Sequence, residues 1–282
     1  MAGRSALVLG GGGITGLAWE IGMLAGLREA GVDLTTADVV IGTSAGSIAG
    51  AQILSGTPLE ELYARQLRDP TGEIASRMGL GTLARFLLVM LLPGDQQKSR
   101  ARLGRSALRA HTVPAATRRD IIASRLAGDN WPDRDLRITT VDAETGEFVV
   151  FQRDSGVSLL DAVCASCAVP LVYPPAEVKG RRYIDGGMRS VANADLATGC
   201  DPIVALAPVS VSLRRSQSVE GQIASLGGGI RSIVVKADGL ARKAMGTQAL
   251  DPAFRAAAAR AGRTQAASVV RAVAEVWSPV RA

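Results

Sequence analysis

The pentapeptide GTSAG at residues 42–46 joins a short hydrophobic run to a helix-forming stretch of small residues. Residues 38–41 have the pattern of a buried strand, and residues 45–54 have that of a closely packed helix. A serine between them lies on a tight strand-to-helix turn, where flanking glycines avoid clashes and the hydroxyl is presented at the helix N-terminus. The helix dipole there favours developing negative charge. This junction predicts an α/β fold with a nucleophilic serine, Ser44.

A second glycine-rich junction follows the first hydrophobic run of the chain. Residues 5–9 predict a strand that ends in GGGGITG, residues 10–16, and an apolar helical pattern follows. Because glycine has no Cβ to block the approach, backbone N–H groups in such a turn can point at an anion. Far downstream, residues 182–184 predict another short strand that leads into Asp185 and two glycines. Nucleophile, anion cradle and carboxylate are thus all predicted at strand ends.

Strand and helix patterns alternate along the rest of the chain. Strands are predicted near residues 136–141, 147–151, 203–206 and 232–236, and helices near residues 59–68, 114–126, 158–168 and 253–277. Residues 209–229, which are rich in serine, arginine and glycine, predict a loop. This alternation predicts a three-layer α/β/α fold with a mostly parallel central sheet.

No internal repeat or linker divides the chain, so a single domain is expected over residues 1–282. Its motifs lie within a core from about residue 5 to 200, and closing strands and a helix occupy residues 201–282.

The base that activates Ser44 is constrained by the presence of a single histidine, His111. A serine hydroxyl is a weak nucleophile until a neighbouring base takes its proton, and in the familiar triad that base is histidine. In an α/β-hydrolase the chain order is serine, acid, histidine. His111 instead precedes Asp185 and follows no predicted strand. A surface or helix-capping position is therefore expected for His111, and the base is predicted to be a different residue.

In the order GGGGITG, GTSAG and DGG, the chain resembles the patatin-like phospholipases, whose serine and aspartate form a dyad without histidine. The blocks ASCAVP at residues 165–170 and YIDGG at residues 183–187 also match, and the resemblance extends from about residue 5 to 200. It implies that Ser44 is the nucleophile and that Asp185 receives its proton. It also implies an oxyanion hole formed by the amides of Gly11, Gly12 and Gly13, and motifs supported by Gly16, Gly42, Gly46, Gly186 and Gly187.

The activity implied by the resemblance is that of a lipid acyl hydrolase, a phospholipase, lysophospholipase or esterase that works through an acyl-enzyme without metal or cofactor. Its expected partner is a lipid or acyl-ester substrate, and the sequence does not indicate an oligomeric state. Many family members carry Lys or Arg where this chain has Thr15. The resemblance therefore leaves open how well an anionic head group is held near the glycine loop.

Two other functions fit parts of the sequence. Gly11, Gly13 and Gly16 also match the GxGxxG fingerprint of a nucleotide-binding oxidoreductase. That fingerprint needs an acidic residue at the end of the second strand, whereas Asp33 precedes the predicted strand at residues 39–41. The other alternative is a catalytically inactive member of the family that binds lipid or interacts with a partner. Labelling by an ester-reactive probe distinguishes it, since labelling requires an activated serine.

Composition bears on location and partners. Hydrophobic residues make up 47% of the chain, which excludes disorder, and no apolar run reaches the roughly 20 residues that span a bilayer. The first apolar run is broken by four glycines, unlike a signal peptide, so a cytoplasmic location is expected. A net charge of +6, spread along the chain, favours peripheral contact with anionic membranes. Aromatic residues are only 4%, which predicts no stacking platform for nucleic acid.

Two further features have more than one interpretation. Residues 80–92 are almost entirely apolar from residue 86 on but too few to span a bilayer, so a core helix, a lid and a membrane contact are all open. Cys164 and Cys167 have CxxC spacing, but no second pair and no histidine lie nearby. Together with Cys200 they are predicted to be buried small residues, and no metal or redox site is expected.

Overall fold

The computed structural model describes residues 3–69, 95–210, 212 and 214–278. The apolar segment at residues 80–92 lies outside the described residues. In the part of the chain that is described, no helix is both long enough and apolar enough to cross a bilayer.

The strands form one mixed sheet and are β1 (Arg4–Leu9), β2 (Val39–Thr43), β3 (Asp135–Asp142), β4 (Phe148–Phe151), β5 (Ala176–Val178), β6 (Arg181–Asp185), β7 (Cys200–Ala207) and β8 (Ser232–Lys236). Within the sheet, β3, β2, β1, β7 and β8 are adjacent in that order and parallel. Strands β4, β5 and β6 join it by antiparallel pairing. The prediction of a mostly parallel sheet is confirmed, as are the strands predicted near residues 136–141 and 147–151, which pair with each other as β3 and β4.

Helices lie on both faces of this sheet. In the described residues they are α1 (Gly13–Glu29), α2 (Ala45–Ile53), α3 (Leu59–Leu67), α4 (Gln96–Ala107), α5 (Ala115–Ala123), α6 (Leu159–Ser166), α7 (Val219–Ala224), α8 (Gly239–Met245) and α9 (Arg255–Trp277). Alternate residues of β1 point to opposite faces, since side chains along a strand alternate. Leu7 and Leu9 pack with α1, α2, α6 and α9, whereas Ala6 and Val8 pack with α7 and residues 192–197. The predicted three-layer α/β/α architecture is confirmed.

The closing helix α9 packs closely along α1 because small residues line their contact. A Cβ at Gly262 would lie 2.2 Å from the Trp19 carbonyl oxygen, so the two backbones could not approach this far with a larger residue. The Trp19 indole Nε1 donates a hydrogen bond to Gln265 Oε1 at 2.9 Å. This buried pair satisfies both polar groups inside the larger hydrophobic core.

Strand β3 brings the ends of two other strands together. Strand β4 occupies one edge of β3 at both Thr139 and Thr140. On the other edge, Thr139 pairs with Thr43, the last residue of β2, and Thr140 pairs with Asp185, the last residue of β6. Because a strand has only two edges, β2 and β6 meet end to end along β3. The residue that follows Thr43 is thereby placed beside Asp185.

One predicted loop contains a helix. Residues 209–229 were expected to be irregular, but α7 forms within them. The Ser218 hydroxyl accepts a hydrogen bond from the Gly221 amide and caps the helix, and Val219 and Ile223 are buried on one helical face. The loop prediction is wrong at these residues, because a cap and two apolar residues four positions apart outweigh the polar composition.

Candidate active site

Ser44 lies on a strained turn between β2 and α2. It is the N-cap of α2, with φ 52° and ψ −116°, a backbone conformation that costs a non-glycine residue about 1–3 kcal/mol. Two glycines make the tight turn possible. A Cβ at Gly46 would lie 2.1 Å from the Leu9 carbonyl oxygen, and one at Gly42 would lie 2.6 Å from the backbone of α2. A larger residue at Gly46 would push the turn away from β1, and one at Gly42 would push the start of α2 away from β2.

Asp185 lies beside Ser44. The Ser44 hydroxyl is near enough to the Asp185 carboxylate to lower its pKa as a hydrogen-bonding neighbour, and the Gly187 amide donates to Asp185 Oδ1 at 2.7 Å. Both residues are buried, since Ser44 is 8% exposed and Asp185 is 2% exposed. The turn after Asp185 packs directly on β3, where a Cβ at Gly186 would lie 2.3 Å from Thr139 Oγ1. The structure thus brings the predicted serine and aspartate into contact.

The environment of Asp185 makes it a stronger base than an exposed aspartate. Burial raises the pKa of Asp185 to about 6, because a charged carboxylate is poorly solvated in the protein interior. Hydrogen bonds from Ser44 and Gly187 and the positive charge of Arg118 act in the opposite direction. Near neutral pH the carboxylate is mostly ionised and can still accept a proton, which suits general base catalysis.

The glycine loop passes beside Ser44. A Cβ at Gly11 would lie 3.5 Å from Ser44 Cβ. The Gly11 amide, however, donates to the Val191 carbonyl oxygen at 2.6 Å and is engaged within the protein. Gly12 is the N-cap of α1 and Gly13 is its first residue, at a helix start where amides have no acceptor in their own helix. Of the three amides predicted to bind an anion, those of Gly12 and Gly13 therefore remain as candidates.

The rest of the glycine loop is packed against the protein interior. Thr15 is fully buried, and its amide donates to the Ala249 carbonyl oxygen at 3.1 Å. A Cβ at Gly16 would lie 3.2 Å from the ring of Pro208. Thr15 therefore presents no polar group at the surface of the loop, and an anionic head group has to be bound by other residues.

Asn193, which the sequence did not single out, connects the two strand ends. Its buried side-chain nitrogen lies 3.1 Å from Thr43 Oγ1, 3.3 Å from Thr139 Oγ1 and 3.3 Å from the Gly186 carbonyl oxygen. Arg189 donates to Asn193 Oδ1 at 2.8 Å from the other side. One side chain thus contacts the residue before Ser44 and the residue after Asp185. The sequence feature that could have pointed to Asn193 is an amide side chain within a run of small residues.

The end of α6 holds the Ser44 backbone. The Ser44 amide donates to Ser166 Oγ at 2.9 Å, and the Cys167 thiol donates to the Ser44 carbonyl oxygen at 3.3 Å. Burial raises the pKa of Cys167 to about 11, so the thiol stays protonated and remains a donor. Cys167 and Cys200 are buried as predicted, whereas Cys164 is half-buried. The contacts of Ser166 and Cys167 with Ser44 were not predicted.

Two other candidate residues have no contact with Ser44 or Asp185 among the hydrogen bonds and ion pairs of the described residues. His111 is exposed on the segment between α4 and α5, which confirms its expected surface position. Asp33 caps the 3₁₀ helix Leu34–Thr36, where its Oδ1 accepts from the Thr35 amide at 2.9 Å. Its carboxylate is thus engaged before β2 begins, whereas the dinucleotide fingerprint needs an acidic residue where that strand ends.

Comparisons with known proteins agree with these motifs. Residues 7–198 match the family model described as patatin-like phospholipase. An uncharacterized NTE family protein of Mycobacterium bovis is 32% identical over 185 residues, which are 66% of this chain and 43% of that relative. Lysophospholipase nte1 of Aspergillus niger is 38% identical over 94 residues, which are 33% of this chain and 5% of that relative. The similarity thus spans less than half of either relative.

Among solved structures, VipD from Legionella pneumophila superposes over 95% of this chain and 67% of its own, with a TM-score of 0.48 and 15% sequence identity. The family match rests on sequence and covers most of the chain, including the glycine loop, Ser44 and Asp185. With those residues gathered at one place in an α/β/α fold, the chain belongs to the patatin-like phospholipase family.

Proposed function

We propose that this chain is a lipid acyl hydrolase that cleaves carboxylic esters, with Ser44 as nucleophile and Asp185 as its base. The observation that carries the proposal is the placement of the buried Ser44 beside a buried carboxylate whose pKa burial has raised. Family membership supports the reaction class. The lone histidine is exposed, which leaves Asp185 as the group that contacts the serine.

In the acylation step, Asp185 accepts the Ser44 proton as Oγ attacks the ester carbonyl carbon. The carbonyl oxygen becomes an oxyanion, and the amides of Gly12 and Gly13 are the groups proposed to hold it. When the tetrahedral intermediate collapses, the ester C–O bond breaks and the alcohol leaves with the proton held by Asp185. The acyl group then remains on Ser44 as an ester.

In the deacylation step, Asp185 takes a proton from water, and the resulting hydroxide attacks the acyl-enzyme carbonyl. A second oxyanion forms at the same amides. Its collapse releases the fatty acid and returns the proton from Asp185 to Ser44 Oγ. Asn193, Ser166 and Cys167 support both steps because they hold the ends of β2 and β6 in place.

The strained backbone of Ser44 favours an active hydrolase over an inactive lipid-binding member of the family. A positive φ at a serine is unfavourable, and such strain concentrates at functional sites. The oxidoreductase alternative has no comparable support, since Asp33 is a capping residue.

A fluorophosphonate probe tests the proposal directly, because it reacts only with an activated serine. We expect stoichiometric labelling, with the modified peptide mapped to Ser44 by mass spectrometry. Prior incubation with a short-chain ester should slow labelling. An unlabelled, folded protein without esterase activity would support the inactive alternative instead.

His111→Ala is expected to retain esterase activity within about fivefold of the wild type, since an exposed histidine contributes little to the stability of the transition state. The measurement is kcat/KM on p-nitrophenyl butyrate from pH 5 to 9. A histidine relay would instead cost several orders of magnitude. A collapse of activity in folded His111→Ala protein would therefore overturn the dyad.

Gly12→Ala is expected to lower kcat about a hundredfold, because losing an oxyanion donor costs about 3 kcal/mol. A Cβ at Gly12 would lie 2.9 Å from both Gly16 Cα and the Pro208 ring, so the loop has to shift. KM should change much less than kcat. Gly128→Ala is the matched control, since a Cβ there meets no atom within 4 Å. If kcat is the same in both variants, the loop does not form the oxyanion hole.

A further inference from the structure

Arg118 on α5 forms no ion pair with a carboxylate in the described part of the chain. Its guanidinium carbon lies 3.7 Å from the centroid of the buried Tyr173 ring. Its Nε is buried without a hydrogen-bond partner. The next residue differs, because Arg119 forms an ion pair with Asp161. Stacking on a ring uses the face of a guanidinium and leaves the N–H groups at its edge free to donate.

A pocket of about 180 Å³ lies beside Arg118, between α5 and α6. Its walls include Cys164, Pro174 and Pro175, and its other charged residues are the Arg119–Asp161 pair and the exposed Glu177. At about 30 Å³ per water molecule, this volume holds roughly six water-sized groups. A phosphate with one small substituent is within that range.

The pocket and the candidate active site share α6. Cys164 forms a wall of the pocket, and Ser166 and Cys167, on the next half-turn, bind the backbone of Ser44. Burial raises the pKa of both Asp185 and Cys167, and the positive charge of Arg118 acts against burial in each case. The Arg118 charge is therefore close enough to lower the pKa of Asp185 and that of Cys167, which binds the backbone of Ser44.

We propose that this pocket binds a phosphate group of the substrate, with Arg118 as the residue that recognises it. The inference rests on the proposed ester hydrolase function and adds the residue that selects a phosphate-bearing substrate over a neutral ester. A guanidinium edge matches two phosphate oxygens and forms short, charge-assisted hydrogen bonds with them. A phosphate held there would give Arg118 the ion pair that it lacks in the described part of the chain.

The test compares two esters with the same acyl chain, 1-decanoyl-lysophosphatidylglycerol and 1-decanoylglycerol, both below their critical micelle concentrations. The readout is the ratio of their kcat/KM values for the wild type, Arg118→Gln, Arg118→Lys and the control Arg271→Gln, which changes an exposed arginine of α9 that does not line the pocket. Removal of the Arg118 charge moves the pKa of Asp185 upward. The measurements are therefore made at pH 8, where Asp185 stays ionised in every variant. Using a ratio cancels any difference in the fraction of folded enzyme.

In Arg118→Gln the ratio is expected to fall at least tenfold, mainly through a higher KM for the lysophospholipid. Arg118→Lys should recover part of it, because a point charge remains, and Arg271→Gln should stay within twofold of the wild type. A ratio that does not fall in Arg118→Gln overturns the proposal. An equal loss of kcat/KM on both esters also overturns it, because that result is expected if Arg118 only stabilises the position of Tyr173.

Inorganic phosphate distinguishes a head-group site from a site for the free anion. In the wild type it should inhibit lysophospholipid hydrolysis competitively, and this inhibition should weaken in Arg118→Gln. Inhibition that depends on Arg118 without any change in the substrate ratio would assign the pocket to free phosphate and overturn the head-group assignment. If the wild type hydrolyses neither ester and Ser44 resists the fluorophosphonate probe, the proposed hydrolase function itself fails.

Discussion

Ser44→Ala is expected to lower kcat/KM on p-nitrophenyl butyrate at least a thousandfold while the protein remains folded. The change removes the nucleophile, and residues that act as one catalytic unit lose about this much when one of them is deleted. The backbone of the turn should persist, because the packing of Gly42 and Gly46 is untouched. Ser55→Ala, at the far end of α2, is the control and should keep its activity within about twofold of the wild type.

Ser44→Gly separates chemistry from strain at the same position. It should be as inactive as Ser44→Ala, yet its thermal midpoint should lie above that of Ser44→Ala, since glycine adopts φ 52° without a steric penalty. Turnover above a few per cent of the wild type in either variant would exclude Ser44 as the nucleophile.

Asp185→Asn is expected to be nearly as damaging, with a loss on the order of a thousandfold at pH 8. An amide keeps the shape of the carboxylate but cannot accept the Ser44 proton. In the wild type, kcat/KM should fall as the pH drops through about 6, where Asp185 becomes protonated. Asp238→Asn, which alters an aspartate that caps α8, should leave both the rate and the pH profile unchanged. An acid limb that persists near pH 6 in folded Asp185→Asn protein would exclude Asp185 as its source.

The same variant should be more stable than the wild type at pH 8. The folded-state pKa of Asp185, about 6, is above its ordinary value of 3.8. The stabilisation from the protonated carboxyl is therefore fully present below about pH 4 and is lost as the pH rises through about 6. The shift corresponds to about 3 kcal/mol, and asparagine has no charge to bury. A higher thermal midpoint at pH 8, with the difference shrinking towards pH 5, is expected from calorimetry.

The layered fold and the pairing of Ser44 with Asp185 could be predicted from the sequence because each depends on local patterns. The strand-to-turn-to-helix junctions at residues 10–16 and 42–46 encode both the parallel strands and the loops at their ends. Asp185 was found for the same reason, since it too follows a strand directly. These signals lie within a few residues of the groups they position.

The remaining parts of the site depend on contacts between distant segments. The bond from the Gly11 amide to Val191 and the contacts of Asn193 with Thr43 join segments about 150 or more residues apart. The Cys167 thiol reaches Ser44 across 123 residues. No periodicity or composition encodes such pairings, because they arise only when the sheet closes. The reduction of the proposed oxyanion hole to Gly12 and Gly13 could not be anticipated for this reason.

The meeting of β2 and β6 on one edge of β3 also separates two evolutionary tasks. The ladder on β3 sets where Ser44 and Asp185 lie, so polar side chains in the interval between α2 and β3 can change without moving either group. Arg118 is in that interval, and its proposed partner is the substrate. Mutations in this part of the chain can therefore change which lipid is recognised. The residues that cleave the ester bond lie in other parts of the chain and can be preserved.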